Sequence, residues 1–257
     1  MRKEMCTVVQ NKEIAHSVYE LTLSGQMAGE MDEPGQFVHI RVSDNLDPLL
    51  RRPISIAAIN KDKQEYTIIF RKQGRGTSLL AEKRPGEKVD VLGPLGNGFP
   101  TGEARSGDTA LLVGGGIGVP PLYELAKQLV DRGIKVISVL GFQTASAVFY
   151  EEEFSRMGET YIATADGTYG RKGFVTSILD EADIQADILY SCGPTPMLRA
   201  LEAGMFAPKS FLSLEERMSC GIGACFACVC PTKNGHEGDY RKVCSDGPVF
   251  RAGEVAI

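Results

Sequence analysis

Between residues 18 and 94, apolar positions come in short runs broken by turn residues. Residues 18–25, 37–42, 54–59, 65–72 and 87–94 each alternate, or run continuously apolar, over the length of one strand. Glu33-Pro34-Gly35, Arg84-Pro85-Gly86 and Gly93-Pro94 separate them. Proline and glycine interrupt regular backbone, so strands joined by tight turns are expected. Many short strands at this spacing predict a closed barrel or a sandwich. A short helix fits residues 77–83, with Thr77 as its N-cap.

The period changes beyond GFPTGEARSG, residues 98–107. Residues 110–115, 135–141, 160–166 and 187–193 read as buried strands, and 120–133, 148–158, 173–182 and 195–204 as helices between them. Strands alternating with helices predict a parallel, doubly wound sheet. From about residue 211 little regular pattern remains, and Gly and Cys become frequent. The expected division is 1–101, 102–210 and 211–257.

Composition narrows the classes. A chain of 257 residues accommodates two compact domains and a small third. Net charge is −5 and there is no lysine or arginine run, which argues against nucleic acid or an anionic membrane as the main partner. No segment approaches the ~18 consecutive apolar residues of a membrane span. The start, MRKEMCTVVQNKEIAHS, has no apolar signal core, so a cytoplasmic location is expected. Disulfides rarely persist there. Seven cysteines, an odd number with five of them in residues 216–250, then read as metal ligands or redox groups.

Cys220-x4-Cys225-x2-Cys228 is the plant-type [2Fe–2S] spacing, with Cys244 supplying a fourth thiolate 16 residues later. Gly221, Gly223 and Ala224 leave such a wrap free of bulk. A structural zinc site pairs two short knuckles instead, so the pattern favours [2Fe–2S] over zinc or inert thiols. Cys230 is left out of the ligand set, and Cys6 has no context.

Three glycine-containing loops follow strands at one sheet edge: Gly114 to Pro121, Asp166 to Gly170, and Cys192 to Pro196. Ligands of open α/β sheets bind outside the carboxyl ends of the strands, and glycine lets backbone approach a pyrophosphate. The alternative is three tight turns with no ligand. The first loop is not the usual dinucleotide fingerprint, because Val119 and two prolines stand where it would continue. No cation follows the second strand, which favours NADH over NADPH. Cys192 reads either as a small core residue or as part of a nicotinamide site. In the first region Arg52 offers a guanidinium to a phosphate, Gly76 and Thr77 offer amides, and Ser55 offers a hydroxyl to a flavin edge. The alternative there is solvated arginines on a rim.

Together, Arg52-Pro53-Ile54-Ser55, Gly114-Gly115-Gly116-Ile117-Gly118, Cys192-Gly193-Pro194, CGIGACFACVC and VCSDGPVF resemble the ferredoxin reductase-like superfamily. Within it, the whole chain is similar to the electron-transfer subunits of class B dihydroorotate dehydrogenases. The resemblance implies an N-terminal antiparallel FAD-binding β-barrel, a doubly wound parallel NAD-binding domain and a small C-terminal [2Fe–2S] domain. It implies FAD at Arg52, Pro53, Ile54, Ser55, Ile69, Phe70, Arg71, Gly76 and Thr77. It implies NAD at Gly115, Gly116, Gly118, Asp166, Cys192, Gly193 and Pro194, and a cluster on Cys220, Cys225, Cys228 and Cys244. The implied partner is an FMN-containing catalytic subunit that oxidises dihydroorotate in pyrimidine biosynthesis, two of each subunit forming a heterotetramer. Electrons would pass from that FMN through [2Fe–2S] and FAD to NAD⁺. No residue here is expected to act as acid or base, so the catalytic set is empty, and His16, His39 and His236 receive no role. Reductase subunits of sulfide dehydrogenases, ferredoxin:NADP oxidoreductases and hydrogenases carry similar motifs and form the alternative. An iron–sulfur redox sensor is a further one.

Overall fold

The computed structural model describes residues 1–43, 45–236 and 238–257. Among these residues, six strands close into a barrel: β1 (Arg2–Ala15), β2 (Val18–Ser24), β3 (Phe37–Arg41), β4 (Arg52–Asn60), β5 (Glu65–Arg71) and β6 (Lys88–Leu95). Their order is β1-β2-β5-β4-β3-β6, every pairing is antiparallel, and β1 returns to β6. A barrel rather than a sandwich is formed because β1 supplies the closing strand, which leaves no open edge. Leu21, Leu23, Val38, Ile40, Ile56, Ile68, Val89 and Val91 fill the interior. Along β2, β3 and β6 they recur at every second position, as a pleated strand with one buried face requires.

The short helix α1 (Arg75–Ala81) follows β5. Its N-cap is Gly74, not Thr77 as expected. Thr77 sits inside the first turn, where its Oγ1 accepts the amides of Gln73 and Gly74 at 3.0 and 3.2 Å. A hydroxyl three residues in reaches back to the free amides at the helix start as well as a capping residue reaches forward.

The middle of the chain runs β7 (Thr109–Gly115), α2 (Pro120–Asp131), β8 (Lys135–Phe142), α3 (Glu151–Ser155), β9 (Gly158–Thr164), β10 (Arg171–Lys172), α4 (Val175–Glu181), β11 (Ile188–Cys192), α5 (Thr195–Gly204) and β12 (Lys209–Ser213). The last segment contributes a hairpin, β13 (Val229–Pro231) and β14 (Tyr240–Lys242), and then β15 (Val249–Arg251). The large sheet has the order β10-β9-β8-β7-β11-β12-β15, parallel except for β15. Strand order reverses between β7 and β11, the switch point where such sheets open a crevice. The division expected at 210/211 falls inside β12, and β15 joins the same sheet, so the C-terminal segment grows out of the large sheet.

Polar ties set one unit against another. The buried Glu124 of α2 accepts the Ile59 amide of β4 at 3.1 Å. Asn97, just after β6, donates to the carbonyls of Ser245 and Asp246, both at 3.1 Å.

Candidate functional site

Cys220, Cys225 and Cys228 lie on one irregular loop before β13, and Cys244 lies in the turn after β14. Gly221 (φ +72°) and Gly223 (φ +79°) hold left-handed backbone that side chains resist, and this turns the loop's amides inward. The Ile222 and Cys225 amides donate to Cys220 Sγ at 3.5 and 3.3 Å, and the Gly223 amide donates to Cys244 Sγ at 3.1 Å. The sequence-distant Cys244 is thereby seated against the loop of the other three.

Electrostatics divide the set. Burial opposes ionisation of Cys220, but the amides of Ile222, Cys225 and Ala224 outweigh it and bring the thiol down to about 6. Burial pushes Cys244 up to about 12, with the Cys228 hydrogen bond adding to it. Cys228 and Cys244 are buried, while Cys220 and Cys225 are half-buried. A binuclear cluster takes two thiolates per iron. The donor chemistry, the amide-lined loop and the inner and outer sulfurs fit [2Fe–2S]. Cys230 stands apart on β13, its thiol donating to the Arg241 carbonyl at 3.6 Å.

A cleft of about 360 Å³ opens beside this loop. Arg52, Pro53, Ile54, Ser55, Ile69, Phe70, Arg71 and Thr77 line it, all from the barrel and α1. Gly76 lies beneath Arg52, where a Cβ would stand 2.4 Å from the guanidinium Nε. Thus the first region's flavin candidates are gathered in one place. A cleft lined by apolar side chains together with the arginines Arg52 and Arg71 suits a planar ring carrying phosphates.

At the switch point two of the three glycine loops touch. A Cβ on Gly118 would stand 2.2 Å from the Cys192 carbonyl, and one on Gly193 would stand 3.0 Å from the Gly115 amide nitrogen. Gly116 (φ +53°) faces Arg71, so the barrel reaches this loop as well. Asp166 does not join them: it follows β9, two strands along the same edge, and accepts the Thr168 amide and hydroxyl at 3.0 and 2.7 Å. These bonds hold its carboxyl below the ordinary range. Cys192 is buried in the core of the sheet; burial, then the charge of Glu215, pushes its thiol up, so it stays un-ionised.

Comparison with known proteins follows the same division. Residues 215–256 match the iron-sulfur cluster binding domain of dihydroorotate dehydrogenase B, and residues 112–203 match the oxidoreductase NAD-binding domain. The electron transfer subunit of dihydroorotate dehydrogenase B (NAD(+)) from Geobacillus sp. (strain WCH70) is 63% identical over 100% of both chains. The chain belongs to the dihydroorotate dehydrogenase B electron transfer subunit family. The Bacillus mycoides (strain KBAB4) member of this family is 59% identical, again over 100% of both chains. Among solved structures, an NADH-dependent reduced ferredoxin-NADP oxidoreductase superposes with a TM-score of 0.86 at 29% identity, covering 98% of this chain and 90% of that one. The Amycolatopsis cytochrome P450 reductase GcoB shares the fold, with a TM-score of 0.68 at 22% identity over 80% of this chain and 67% of that one. As a member of the dihydroorotate dehydrogenase B electron transfer subunit family, the chain is an oxidoreductase subunit with a flavin reductase-like fold, an NAD-binding domain and an iron–sulfur domain.

Sequence reasoning passed over part of the cleft. Ile117, Ser213, Leu214, Glu215, Glu216, Met218 and Pro248 also line it. Ser213 ends β12, so the rule that ligands gather at carboxyl ends would have found it had β12 been recognised. Glu215 faces the cleft, yet the protein mass around its carboxyl pushes its pKa up. His39 was given no role, but it is fully buried against Gly221 of the cysteine loop.

Proposed function

We propose that this chain conducts electrons from the FMN of a separate dihydroorotate dehydrogenase catalytic subunit to NAD⁺, in pyrimidine biosynthesis, in an assembly of two copies of each subunit. One observation carries the reading: the cleft has walls from the barrel (Arg52 to Ser55), from the glycine loop (Ile117) and from the 213–218 segment that runs directly into Cys220. On this reading a site for each of three cofactors abuts the next. FAD exchanges electrons with NAD in pairs and with a [2Fe–2S] cluster one at a time.

The residues divide the work. Cys220, Cys225, Cys228 and Cys244 hold the cluster. Arg52 and the Gly76-Thr77 turn meet flavin phosphates, Ser55 meets the ring edge, and Pro53, Ile54, Ile69, Phe70 and Arg71 exclude water. Gly115, Gly116, Gly118, Gly193 and Pro194 give NAD a backbone bed, Cys192 stiffens its floor, and Asp166 serves its far end. We assign residues 1–101 to the FAD unit, 102–213 to the NAD unit, with β15 added to its sheet, and the remainder to the cluster unit. Beside the cluster thiols Ile222, Phe226, Val229 and Tyr240 expose apolar surface, which suits a protein interface; the catalytic subunit docks there. The seven cysteines form no disulfide, which suits the cytoplasm. Among the described residues no helix is long and apolar enough to cross a membrane.

Co-purification with an FMN-containing catalytic subunit, followed by an assay of dihydroorotate-driven NAD⁺ reduction, tests this. A complex without FMN, or one without that activity, refutes it. A colourless, zinc-containing protein after anaerobic purification refutes the cofactor assignment. A second reading, a reductase subunit for another one-electron partner, draws on the 29% likeness to the ferredoxin-NADP oxidoreductase. Reduction by ferredoxin but not by dihydroorotate in the same assay would favour it.

A further inference from the structure

His39 of β3 is fully buried, and neither ring nitrogen has a hydrogen-bond partner of normal geometry. Buried imidazoles are ordinarily partnered, so the ring's surroundings need an account. The iron–sulfur loop covers it: a Cβ on Gly221 would stand 2.5 Å from His39 Nδ1. Glycine is needed at 221 twice over, for its left-handed φ and for this approach. Burial lowers the pKa of His39, the Cys220 carbonyl opposes it most, and the smaller influences are the Arg51 and Arg52 charges, which lower it, and the Arg51 carbonyl, which raises it. The Cys220 carbonyl, on a cluster ligand, and the Arg51 carbonyl, beside the barrel, are the acceptors that face the ring.

The strand beneath is fixed. Arg51 donates to the carbonyls of His39 (3.2 Å) and Asp90 (3.1 Å) and to the Asp90 carboxylate (2.9 Å). Across the ladder His39 pairs with Pro53, which lines the cleft. A rigid imidazole thus stands between the turn that carries Cys220 and the strand pair that walls the cleft.

We propose that His39 is a positioning residue for the iron–sulfur loop: its ring N–H donates to the Cys220 carbonyl and fixes the Cys220–Gly221 turn against the strands of the flavin cleft. The inference rests on the iron–sulfur reading above. Hydrogen bonds behind a ligand orient it, and their loss typically weakens metal retention by 10–100-fold. The backbone bed of the cluster then depends on a barrel residue, so the two cofactor sites keep a constant separation.

H39Q keeps an N–H donor of similar reach; H39L fills the space without one. Each variant is purified anaerobically in the complex with the catalytic subunit. Flavin content, iron and sulfide content, the low-temperature EPR spectrum, the cluster midpoint potential and the rate of iron loss to a chelator are measured. H39L should keep its flavin, lose iron about tenfold faster than wild type, and show a broadened EPR signal and a displaced potential. H39Q should stay close to wild type in all of these. If H39L fails to retain flavin, H39M takes its place as a flexible apolar filler. Wild-type iron loss and EPR in the apolar variant would overturn the proposal. Equal damage in H39Q and the apolar variant would also overturn it, leaving only a packing role. A wild-type complex without iron and sulfide would instead overturn the iron–sulfur reading itself.

Discussion

Gly76 offers a way to move Arg52 without removing it. A methyl group there would begin 2.4 Å from Arg52 Nε and 2.8 Å from Cζ and Nη2. Non-bonded heavy atoms settle near 3.5 Å, so in Gly76→Ala the guanidinium must retreat by about 1 Å. It is the mobile end of a side chain and can do so, at the expense of its bonds to the Leu50 and Arg51 carbonyls. Protein stability should change little, because replacing a helical glycine by alanine gains up to about 1 kcal/mol and offsets the shifted arginine. Flavin affinity should fall, since a charge-assisted bond to a phosphate is worth about 1.5–3 kcal/mol. At 1.4 kcal/mol per tenfold, the FAD dissociation constant rises roughly 10- to 150-fold. Titration of the apoprotein with FAD, followed by flavin fluorescence, reads the affinity, and thermal melting of the apoprotein reads the stability. Melting the flavin-loaded protein would mix the two, because a ligand stabilises the state it binds. Unchanged FAD affinity in Gly76→Ala would refute the role given to Arg52. So would a loss of affinity that merely tracks a lower apoprotein melting temperature.

Three further outcomes follow. Cys244→Ser should lose the cluster's visible absorbance and most of its iron, whereas Cys230→Ser, whose thiol bonds the Arg241 carbonyl, should keep both; the reverse result would exchange their roles. Gly118→Ala sets a methyl 2.2 Å from the Cys192 carbonyl, against backbone that cannot swing aside. Overpacking of about 1–3 kcal/mol at that loop should raise the KM for NADH about tenfold with flavin and iron contents unchanged, and an unchanged KM would remove the loop from the NAD site. Burial pushes the Cys6 thiol up from 9.0 to about 11, with the Tyr66 hydrogen bond opposing. The fold holds its protonated form, so this stabilisation is whole below pH 9 and is lost as pH rises toward 11. Urea unfolding at pH 8 and pH 10 should show the gap between wild type and Cys6→Ala narrowing by about 1.4 kcal/mol; equal gaps at both pH values would contradict the burial argument.

Elements with a strong local period were legible. Strands β2 to β6 and the alternation from β7 to α5 follow from runs of apolar residues and the turns between them. The closing strand β1 was not, because only Cys6 and Val8 along its fourteen residues are buried. A strand that buries so little of its length gives a weak alternation of apolar and polar positions. Helix α3 was read too long for a related reason. Val148, Phe149 and Tyr150 extend an apolar pattern, but Phe149 turns into the core and Tyr150 takes a left-handed φ of 64°, so the helix begins only at Glu151. Three-residue β15 is below the length at which any period is visible.

The same distinction governs the site. The geometry of the cysteine loop is legible because it is mostly local: three thiols and the glycines that bend backbone around them share nine consecutive residues, 220–228. The cleft is a product of topology. Its barrel wall carries recognisable arginine, serine and glycine chemistry, but Ser213, Leu214, Glu215 and Met218 belong to it only because β12 ends at the sheet edge that faces the barrel. No residue type announces that position. His39 lies furthest from local reasoning, since its meaning depends on Gly221 lying 182 positions away in sequence and against its ring in space. A lone histidine in a strand is ordinarily core. What distinguishes this one is a pair of unsatisfied nitrogens, one of them set against Gly221 of the cysteine loop, a property of the assembled fold that neither segment has alone.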